Sequence, residues 1–292
     1  VNVLPGGPDI GAALVNHPLV AKIGFIGSSA TGKRIASIAG ARLASCTLEL
    51  GGKSPNIVFA DADLDAAEAG VLAGIFAATG QTCIAGSRLL VEDSIYDRFM
   101  ERLIARARAI RVGDPMDQDS QMGPVATRAQ LDCIEQFVEQ ARRAGSTVAV
   151  GGSRIAVPSL PNGFFYAPTI LEDVDNSSAI AQEEVFGPVL ATMRFRTEAE
   201  ALTIANSSRY GLAAGVWTTN LQRAHRMAAA LQAGTVWLNT YRAYSPAAPF
   251  GGFKDSGVGR SNGIEAIMEY RQTKTVWCEL GKTIHDPFVI RT

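Results

Sequence analysis

The sequence predicts an α/β fold built on a mostly parallel sheet. Short runs of β-branched and other apolar residues alternate along the chain with longer stretches of helical periodicity. Hydrophobic residues make up 47% of the 292 residues and charged residues 19%, which is typical of a globular protein. A chain of this length is long enough for one large domain or two ordinary ones.

Strand–turn–helix units are predicted in the first part of the chain. Three short apolar runs are predicted strands: Lys22–Ile26, Thr47–Leu50 and Asn56–Phe59. A turn with two glycines follows the first of them and leads into a helix over Gly32–Ala39. An alanine-rich helix is predicted to follow Asp63 and to run through Ala78.

Longer amphipathic helices are predicted in the middle of the chain. The segment Ser94–Asp97 resembles a capping box, and an apolar stripe at helical spacing follows it. A second stripe is formed by Leu131, Ile134, Val138 and Ala141, and Gly145 ends that helix. The remaining predicted strands are 148–150, 189–195, 214–218 and 235–238, and the remaining predicted helices are 197–206 and 221–232.

Charge and hydropathy exclude several classes of partner. The net charge is −1, from 27 basic and 28 acidic residues, and no basic stripe is present. Nucleic acid and anionic membrane are therefore not expected partners. The longest apolar runs are far shorter than a membrane span, and the first residues lack the features of a signal peptide.

The cysteines and histidines indicate neither a metal site nor a disulfide framework. The four cysteines are Cys46, Cys83, Cys133 and Cys278, and their spacing matches no zinc motif. Three scattered histidines include no H-E-x-x-H sequence. We therefore expect no metal and a reducing, cytoplasmic setting.

Two short motifs contain side chains suited to acyl chemistry. Glu49 lies in Leu-Glu-Leu-Gly-Gly-Lys-Ser-Pro (48–55), and Cys83 ends the later Gly-Gln-Thr-Cys. A thiolate can attack a carbonyl carbon, and a carboxylate can activate the water that releases an acyl group. From the residues alone, Cys83 could equally be a buried structural cysteine and Glu49 a solvated strand residue.

A third motif is suited to binding a phosphate. Gly27 and Ser28 lie at a strand–turn–helix junction, where the first N–H groups of a helix favour an anion. The usual G-x-G-x-x-G dinucleotide fingerprint is absent from the sequence, and many βα turns share this pattern.

Together these motifs resemble the signatures of the aldehyde dehydrogenase superfamily, as do Glu-Glu-Val-Phe-Gly-Pro (183–188) and Pro-Phe-Gly-Gly-Phe-Lys (249–254). The resemblance extends from Asn2 to about Trp277 and implies the C-terminal portion of such a protein, without the first part of its cofactor domain. It implies that residues 1–51 are the remnant of a Rossmann-like NAD(P)-binding domain and residues 52–255 a Rossmann-like catalytic domain. Residues 256–292 would form a C-terminal segment with an oligomerisation strand near Thr273–Leu280.

The resemblance also implies roles for individual residues. Cys83 would be the nucleophile and Glu49 the base that activates water, with NAD or NADP as cofactor. The cofactor site would comprise Gly27, Ser28, Leu50, Gly51, Glu184 and Phe186. Within this site Glu184 would bind the nicotinamide ribose, and Phe186 would pack beside the nicotinamide. The substrate pocket would comprise Thr82, Ile84, Tyr241 and Phe250.

The chain departs from the family pattern at two positions. Thr79 occupies a position where the family often has Asn, and we expect little consequence. Ser261 replaces a common Glu, so this chain lacks any support that the acidic side chain gives to the deacylating water in the family. Lys53 is interpreted as a structural ion-pair donor. No Arg lies beside Cys83 in the sequence before Arg88, which disfavours a short carboxylated semialdehyde. The pocket residues are neutral, which favours an uncharged aldehyde.

The implied reaction is oxidation of an aldehyde to the carboxylic acid, through a thiohemiacetal and a thioester on Cys83, with hydride transfer to NAD(P)⁺. A coenzyme A-acylating semialdehyde dehydrogenase, an inactive fragment and a cofactor-independent cysteine hydrolase are the alternatives. In the family a second oxyanion donor lies upstream of the position of Val1, so this chain alone is expected to be a poor dehydrogenase. The resemblance further implies a homodimer or homotetramer.

Overall fold

The structure is a computed structural model that describes residues 1–281 and 288. Its strands are β1 (Lys22–Ile26), β2 (Ser45–Glu49), β3 (Pro55–Val58), β4 (Arg88–Glu92), β5 (Thr147–Val150), β6 (Thr169–Glu172), β7 (Val189–Phe195), β8 (Tyr210–Gly211), β9 (Ala213–Trp217), β10 (Thr235–Leu238), β11 (Phe253–Lys254) and β12 (Gly257–Val258). Its helices are α1 (Pro8–Asn16), α2 (Ser29–Ala41), α3 (Leu64–Phe76), α4 (Tyr96–Arg108), α5 (Arg128–Arg143), α6 (Ala179–Gln182), α7 (Glu198–Asn206), α8 (Leu221–Ala230) and α9 (Gly263–Met268).

The largest sheet has the strand order β10-β9-β3-β4-β7-β6-β5. Every neighbouring pair is parallel except β5 with β6, which is antiparallel and lies at the edge. Successive residues of one strand, such as Ile57 and Val58, belong to two different apolar clusters. The sheet is therefore buried on both faces, as expected for parallel strands with helices packed on each side. The predicted α/β class with a mostly parallel sheet is confirmed.

A smaller unit precedes this sheet in the chain. Strands β1 and β2 are parallel, and β12 pairs antiparallel with β2. Helix α2 packs on this sheet through Ile35 and Ala39, and Leu48 and Leu50 complete the buried cluster. Because β12 returns to β2, residues that follow the large sheet in sequence help to build the unit that precedes it.

Most predicted elements form within a few residues of their expected bounds. Strands β1, β7 and β10 match the prediction, and all four residues of the stripe on α5 are buried. The capping box at Ser94 is wrong: the Ser94 hydroxyl donates to the Glu92 carboxylate, and a 3₁₀ turn over Asp93–Ile95 precedes α4. Strand β4 was not predicted, because it follows a glycine-containing loop and contains a charged residue, Arg88.

The strand predicted near Thr273–Leu280 does not form. Residues 271–280 have neither helix nor strand geometry and are almost all exposed. A strand that pairs with another copy of the chain has no partner edge within a single chain, which accounts for the difference. The oligomeric state and the domain boundaries at 51 and 255 stay predictions, and part of the segment 256–292 lies outside the described residues.

Within residues 1–281 and 288, no helix has the length and apolar character needed to cross a membrane.

Candidate active site

The segment that carries Cys83 connects α3 to β4 through two tight turns. Asp63 starts α3 by accepting hydrogen bonds from two backbone N–H groups. At the far end, a β-turn is closed by the Ala85 N–H, which donates to the Thr82 carbonyl at 3.0 Å. Cys83 occupies the corner of this turn and is half-buried. The turn therefore presents the thiol at the carboxyl end of the helix, just before a central strand begins.

Three consecutive residues before Cys83 have left-handed backbone geometry. The φ angles are 53° at Ala78, 57° at Thr79 and 67° at Gly80. Glycine adopts this region readily, but a β-branched residue such as Thr79 does so only under constraint. The Thr79 side chain is buried, and its hydroxyl donates to the Gly123 carbonyl at 3.2 Å. Surrounding contacts therefore hold the approach to Cys83 in a strained conformation.

Gly80 packs directly on the segment that contains Glu184 and Phe186. A Cβ atom at Gly80 would lie 2.1 Å from the carbonyl oxygen of Gly187. Gly52 is equally close to the Cys83 loop, since its Cβ would lie 2.4 Å from the Cys83 carbonyl oxygen. Glycine at these two positions lets three separate backbone segments meet without intervening side chains.

Glu49 is the last residue of β2 and is tied to both neighbouring segments. Its carbonyl oxygen accepts a hydrogen bond from the Gly27 N–H at 3.1 Å, and Gly257 of β12 pairs with it. The buried Ser256 closes the next turn by donating from its hydroxyl to the Gly51 carbonyl at 2.7 Å. This network fixes the backbone from which the Glu49 side chain projects.

Cys83 lies close enough to two carboxylates for both to affect its acidity. Burial raises the pKa of the Cys83 thiol, and the charges of Glu184 and Glu49 raise it further. The backbone N–H groups of Cys83 and Ile84 lower that pKa by donating toward the sulfur. Two backbone N–H donors thus face the sulfur, but burial and two carboxylates outweigh their effect on the pKa. The three residues come together from separate parts of the chain.

The Glu184 carboxylate lies over the Gly51–Gly52 backbone. The Gly52 N–H donates to Glu184 Oε1 at 3.1 Å, and a Cβ at Gly51 would lie 2.3 Å from Oε2. Burial raises the pKa of Glu184, while the Gly52 N–H and the cations Lys53 and Arg209 lower it. The glycine pair therefore makes room for the carboxylate and supplies one of its hydrogen bonds.

Phe186 presents its ring at the surface from a left-handed backbone position. Its φ angle is 53°, and 38% of the residue is exposed. The Gln130 side chain holds this backbone, since its amide donates to the carbonyls of Val185 and Phe186 at 2.8 and 3.1 Å. A small cavity connects the segments, and its lining includes Gly52, Gly80, Thr82, Glu184 and Phe186.

Lys53 is buried without a partner for its ammonium group. It is 1% exposed, and its Nζ donates no hydrogen bond to any of the described residues. Burial and the nearby Arg88 lower its pKa to about 7, against an opposing effect of Glu184 and Glu183. The interpretation of Lys53 as a structural ion-pair donor is therefore wrong for the described part of the chain.

The other predicted cofactor residues differ in their accessibility. Gly27 and Ser28 are exposed at the start of α2, where the Ser28 hydroxyl oxygen accepts from the Thr31 N–H at 3.3 Å. Leu50 is 5% exposed, and its side chain packs against Gly32 of α2. The turn before α2 is thus exposed to solvent, whereas the Leu50 side chain is occupied by packing.

Two residues of one loop, Tyr241 and Arg242, contact the Cys83 turn. Only Tyr241 was predicted from the sequence as a candidate site residue. The Tyr241 hydroxyl donates to the Ile84 carbonyl at 3.0 Å. The Arg242 guanidinium lies 3.5 Å from the Thr82 hydroxyl and 3.4 Å from the Ala77 carbonyl oxygen. Arg242 was missed because its only sequence signal is a cation after a predicted strand, far along the chain from Cys83.

Phe250 lies on a different segment, where it forms an antiparallel bridge with Ser261. The two N–H groups donate to the opposite carbonyls at 2.6 and 2.7 Å. Ser261, the residue that departs from the family pattern, is thus engaged through its backbone. The roles of Phe250, Thr82 and Ile84 in a substrate pocket stay predictions.

In the described part of the chain, no cluster of three or more His, Cys, Asp or Glu side chains could hold a metal ion.

Comparison with known proteins gives one consistent family. The model of the aldehyde dehydrogenase family matches residues 1–276. A betaine aldehyde dehydrogenase of Brucella anthropi is 47% identical over 281 residues, which cover 96% of this chain and 58% of that protein. A betaine aldehyde dehydrogenase of Brucella melitensis is 48% identical over the same shares of the two chains.

Solved structures of this family have the same fold. A point mutant of the aldehyde dehydrogenase of Bacillus cereus has a TM-score of 0.91 and 42% identity, over 94% of this chain and 55% of that one. The betaine aldehyde dehydrogenase of Staphylococcus aureus, crystallised with NAD⁺, has a TM-score of 0.90 and 42% identity, over 92% of this chain and 53% of that one. The chain thus spans little more than half the length of these relatives. It belongs to the aldehyde dehydrogenase family.

Proposed function

We propose that the site around Cys83 oxidises an aldehyde to its carboxylic acid, with NAD⁺ or NADP⁺ as hydride acceptor. The observation that carries the proposal is the convergence of one thiol and two carboxylates, Cys83, Glu49 and Glu184, from three separate segments. Each has a different task in such a reaction: nucleophile, base for water, and ligand for the cofactor. The NAD⁺ in the crystals of the Staphylococcus aureus relative supports the choice of cofactor.

In the first half-reaction the Cys83 sulfur attacks the carbonyl carbon and an S–C bond forms. The thiol proton passes to a neighbouring carboxylate, for which Glu49 is suited by its position. The Cys83 N–H, which already points toward the sulfur, stabilises the negative charge that develops on the substrate oxygen. When bound, the dinucleotide would accept the C–H hydrogen with its electron pair as the substrate oxyanion re-forms the C=O bond, which leaves a thioester on Cys83. Glu49 releases the thiol proton to solvent before the second half-reaction.

In the second half-reaction Glu49 removes a proton from water. The resulting hydroxide adds to the thioester carbonyl, the C–S bond breaks, and the Cys83 thiolate leaves with the bonding pair. The carboxylic acid departs, and the Glu49 proton returns to solvent. This step is the reason that a free acid, and not an acyl-coenzyme A, is the proposed product.

The contacts of the surrounding residues fit a dinucleotide. The Gly52 N–H donates a hydrogen bond to Glu184 Oε1 and so orients the carboxylate. The carboxylate oxygens can then accept hydrogen bonds from the hydroxyl groups of a ribose. The turn at Gly27 and Ser28 is exposed and leads into α2, whose positive dipole end favours a phosphate. The exposed ring of Phe186 is suited to pack beside a flat base.

Arg242 favours an uncharged or anionic aldehyde as substrate. Its guanidinium is 3.5 Å from the hydroxyl of Thr82, the residue before Cys83. The Brucella relatives are named for betaine aldehyde, which contains a quaternary ammonium group. A cation in contact with the residue that precedes the nucleophile would disfavour such a substrate. We therefore propose that hexanal or succinic semialdehyde is used in preference to betaine aldehyde.

The test follows acyl transfer to Cys83 and its release. The chain is mixed with NAD⁺ and hexanal, or with p-nitrophenyl acetate, which can acylate the thiol without cofactor. NADH is followed at its absorbance, and peptide mass spectrometry locates the acyl group. We expect the acyl group on Cys83, its loss in Cys83→Ser but not in Cys133→Ser, and a release about 10²–10⁴-fold slower in Glu49→Gln than in the surface control Glu139→Gln.

Each other outcome has a defined meaning. Release that requires coenzyme A would favour the acylating alternative, and acyl transfer from the ester without NADH formation would favour a fragment without dehydrogenase activity. Acylation that persists in Cys83→Ser, or no acylation of Cys83 from either reagent, would refute the proposal.

A further inference from the structure

The loop that follows β10 contains two adjacent residues that contact the Cys83 turn, one at the residue before Cys83 and one at the residue after it. Tyr241 contacts the residue after Cys83, through its hydroxyl and the Ile84 carbonyl. Arg242 contacts the residue before Cys83, through its guanidinium and the Thr82 hydroxyl. The residues immediately before and after the nucleophile are thus each contacted by a side chain from a distant part of the sequence.

The Tyr241 ring has a site shaped to receive it. Three glycines surround the ring, since a Cβ at Gly74, Gly86 or Gly215 would lie 3.2, 2.9 or 2.7 Å from its atoms. The ring also contacts the Trp237 ring of β10, with 4.6 Å between centroids. Closely packed aromatic rings of this kind have well-defined positions. The Tyr241 hydroxyl is therefore a fixed donor, and burial raises its pKa so that it keeps its proton.

The Ile84 carbonyl belongs to the same turn whose N–H groups face the Cys83 sulfur. Those two N–H groups, of Cys83 and Ile84, lower the pKa of the thiol in opposition to burial, Glu184 and Glu49. Their effect depends on the orientation of the turn, because hydrogen bonds weaken steeply with angle. The hydrogen bond from Tyr241 fixes one end of that turn.

We propose that Tyr241 and Arg242 form a clamp that orients the Cys83–Ile84 backbone toward the sulfur and so favours the thiolate. Tyr241 is in this view a positioning residue, which acts through the turn, and not a residue that lines the substrate pocket. The inference rests on the proposed role of Cys83 as nucleophile. The charged groups that act on the sulfur are Glu184 and Glu49. The Tyr241 hydroxyl and the Arg242 guanidinium contact the residues on either side of Cys83 in the sequence.

The test measures the rate of Cys83 alkylation by iodoacetamide from pH 6 to pH 10, read by peptide mass spectrometry. It requires neither cofactor nor turnover, so the full 292-residue chain can be used. The variant is Tyr241→Phe, which keeps the ring among the three glycines and removes only the hydroxyl. The matched control is Tyr244→Phe, which removes an exposed hydroxyl that accepts from Asn262 at 2.7 Å in the same loop.

We expect the Cys83 profile of Tyr241→Phe to move to higher pH, with labelling about threefold slower at pH 7, because fewer aligned donors face the thiolate. Tyr244→Phe should follow the parent chain, and Cys46 and Cys133 should label equally in all three proteins. A Cys83 profile that is unchanged, moves to lower pH, or moves together with Cys46 and Cys133 would overturn the clamp. If Tyr241→Phe does not fold, Arg242→Gln serves with the same expectations, since it removes the other contact.

The outcome in the parent chain separates this inference from the proposed function. If Cys83 of the parent is alkylated with a clear titration and Tyr241→Phe has the same profile, the clamp fails and the nucleophile stands. If Cys83 of the parent is not alkylated at any pH while the other cysteines are, the nucleophile itself fails.

Discussion

The backbone contact between Gly80 and Gly187 leads to a quantitative prediction for Gly80→Ala. Gly80 has φ +67°, where an L-residue with a Cβ costs roughly 1–2 kcal/mol more than glycine. The new Cβ would also lie 2.1 Å from the Gly187 carbonyl oxygen and 2.4 Å from its carbon, both backbone atoms that cannot turn aside. Overpacking of this kind adds about 1–3 kcal/mol. The total loss of unfolding free energy should be about 2–5 kcal/mol.

Gly145→Ala is the matched control, because it isolates the backbone cost. Gly145 also has positive φ, +98°, but nothing lies within 4 Å of the position that its Cβ would occupy. Its substitution should therefore cost only the roughly 1–2 kcal/mol of the conformation itself. Urea unfolding followed by circular dichroism gives both values. Thermal unfolding gives a second estimate, since 1 kcal/mol corresponds to about 2–4 °C in a chain of this size.

The two variants should also differ at the active site. Gly80→Ala forces the nucleophile segment and the Glu184–Gly187 segment apart, so it should change the alkylation rate of Cys83, whereas Gly145→Ala should not. Equal losses of stability in the two variants would refute the reasoning. They would mean that the backbone at Gly80 and Gly187 can separate to admit the new Cβ without any loss of unfolding free energy.

Three further predictions concern buried polar groups and strain. Lys53 has a pKa of about 7 when folded and 10.5 when unfolded, so the unfolded chain binds more protons between these values and the unfolding free energy should rise with pH across that window. Lys53→Met should lack that rise and be more stable than the parent at pH 7, and a parallel slope in both proteins would contradict this. Thr79→Asn should raise the melting temperature, because asparagine tolerates left-handed geometry better than a β-branched residue. An unchanged melting temperature would instead support the expectation from the sequence that Thr in place of Asn at this position has little consequence. Ser256→Ala should cost about 2–4 kcal/mol in urea unfolding, since it leaves the Gly211 N–H and the Gly51 carbonyl without their partner; a loss below about 1 kcal/mol would count against the bond network.

Local periodicity was sufficient for most of the fold. The stripe from Leu131 to Ala141 predicts a buried helix face, and the apolar run of β7 predicts a buried strand. Both predictions succeed because the spacing of apolar residues along the sequence is enough to identify such elements. Strand β4 was not predictable in this way, since the Arg88 guanidinium finds its acceptors far away in the sequence. They are the carbonyls of Lys53, Ile204 and Ala205 and the side chain of Asn176. Contacts that depend on the finished fold leave no signal in a local sequence window.

The candidate site was likewise predictable from the sequence only in part. Cys83, Glu49 and Glu184 were selected through a family resemblance, and the structure brings them together. The left-handed geometry of Thr79 and the position of Arg242 beside Thr82 could not be anticipated, because both are imposed by tertiary contacts. Lys53 is buried and has no hydrogen-bond partner among the described residues, which reverses an expectation based on the usual exposure of lysine.

The turn formed by Ala78, Thr79 and Gly80 also reverses the usual chiral preference of the chain. A residue of D configuration would occupy its own favoured region at these three positions, whereas it would disrupt the right-handed helix α3 just before them. Chemical synthesis of this segment with D-alanine at position 78 would therefore relieve strain more fully than the encoded residues that carry a Cβ atom. The nucleophile is thus preceded by one turn of mirror-image backbone, which the fold sustains against the preference of its own residues.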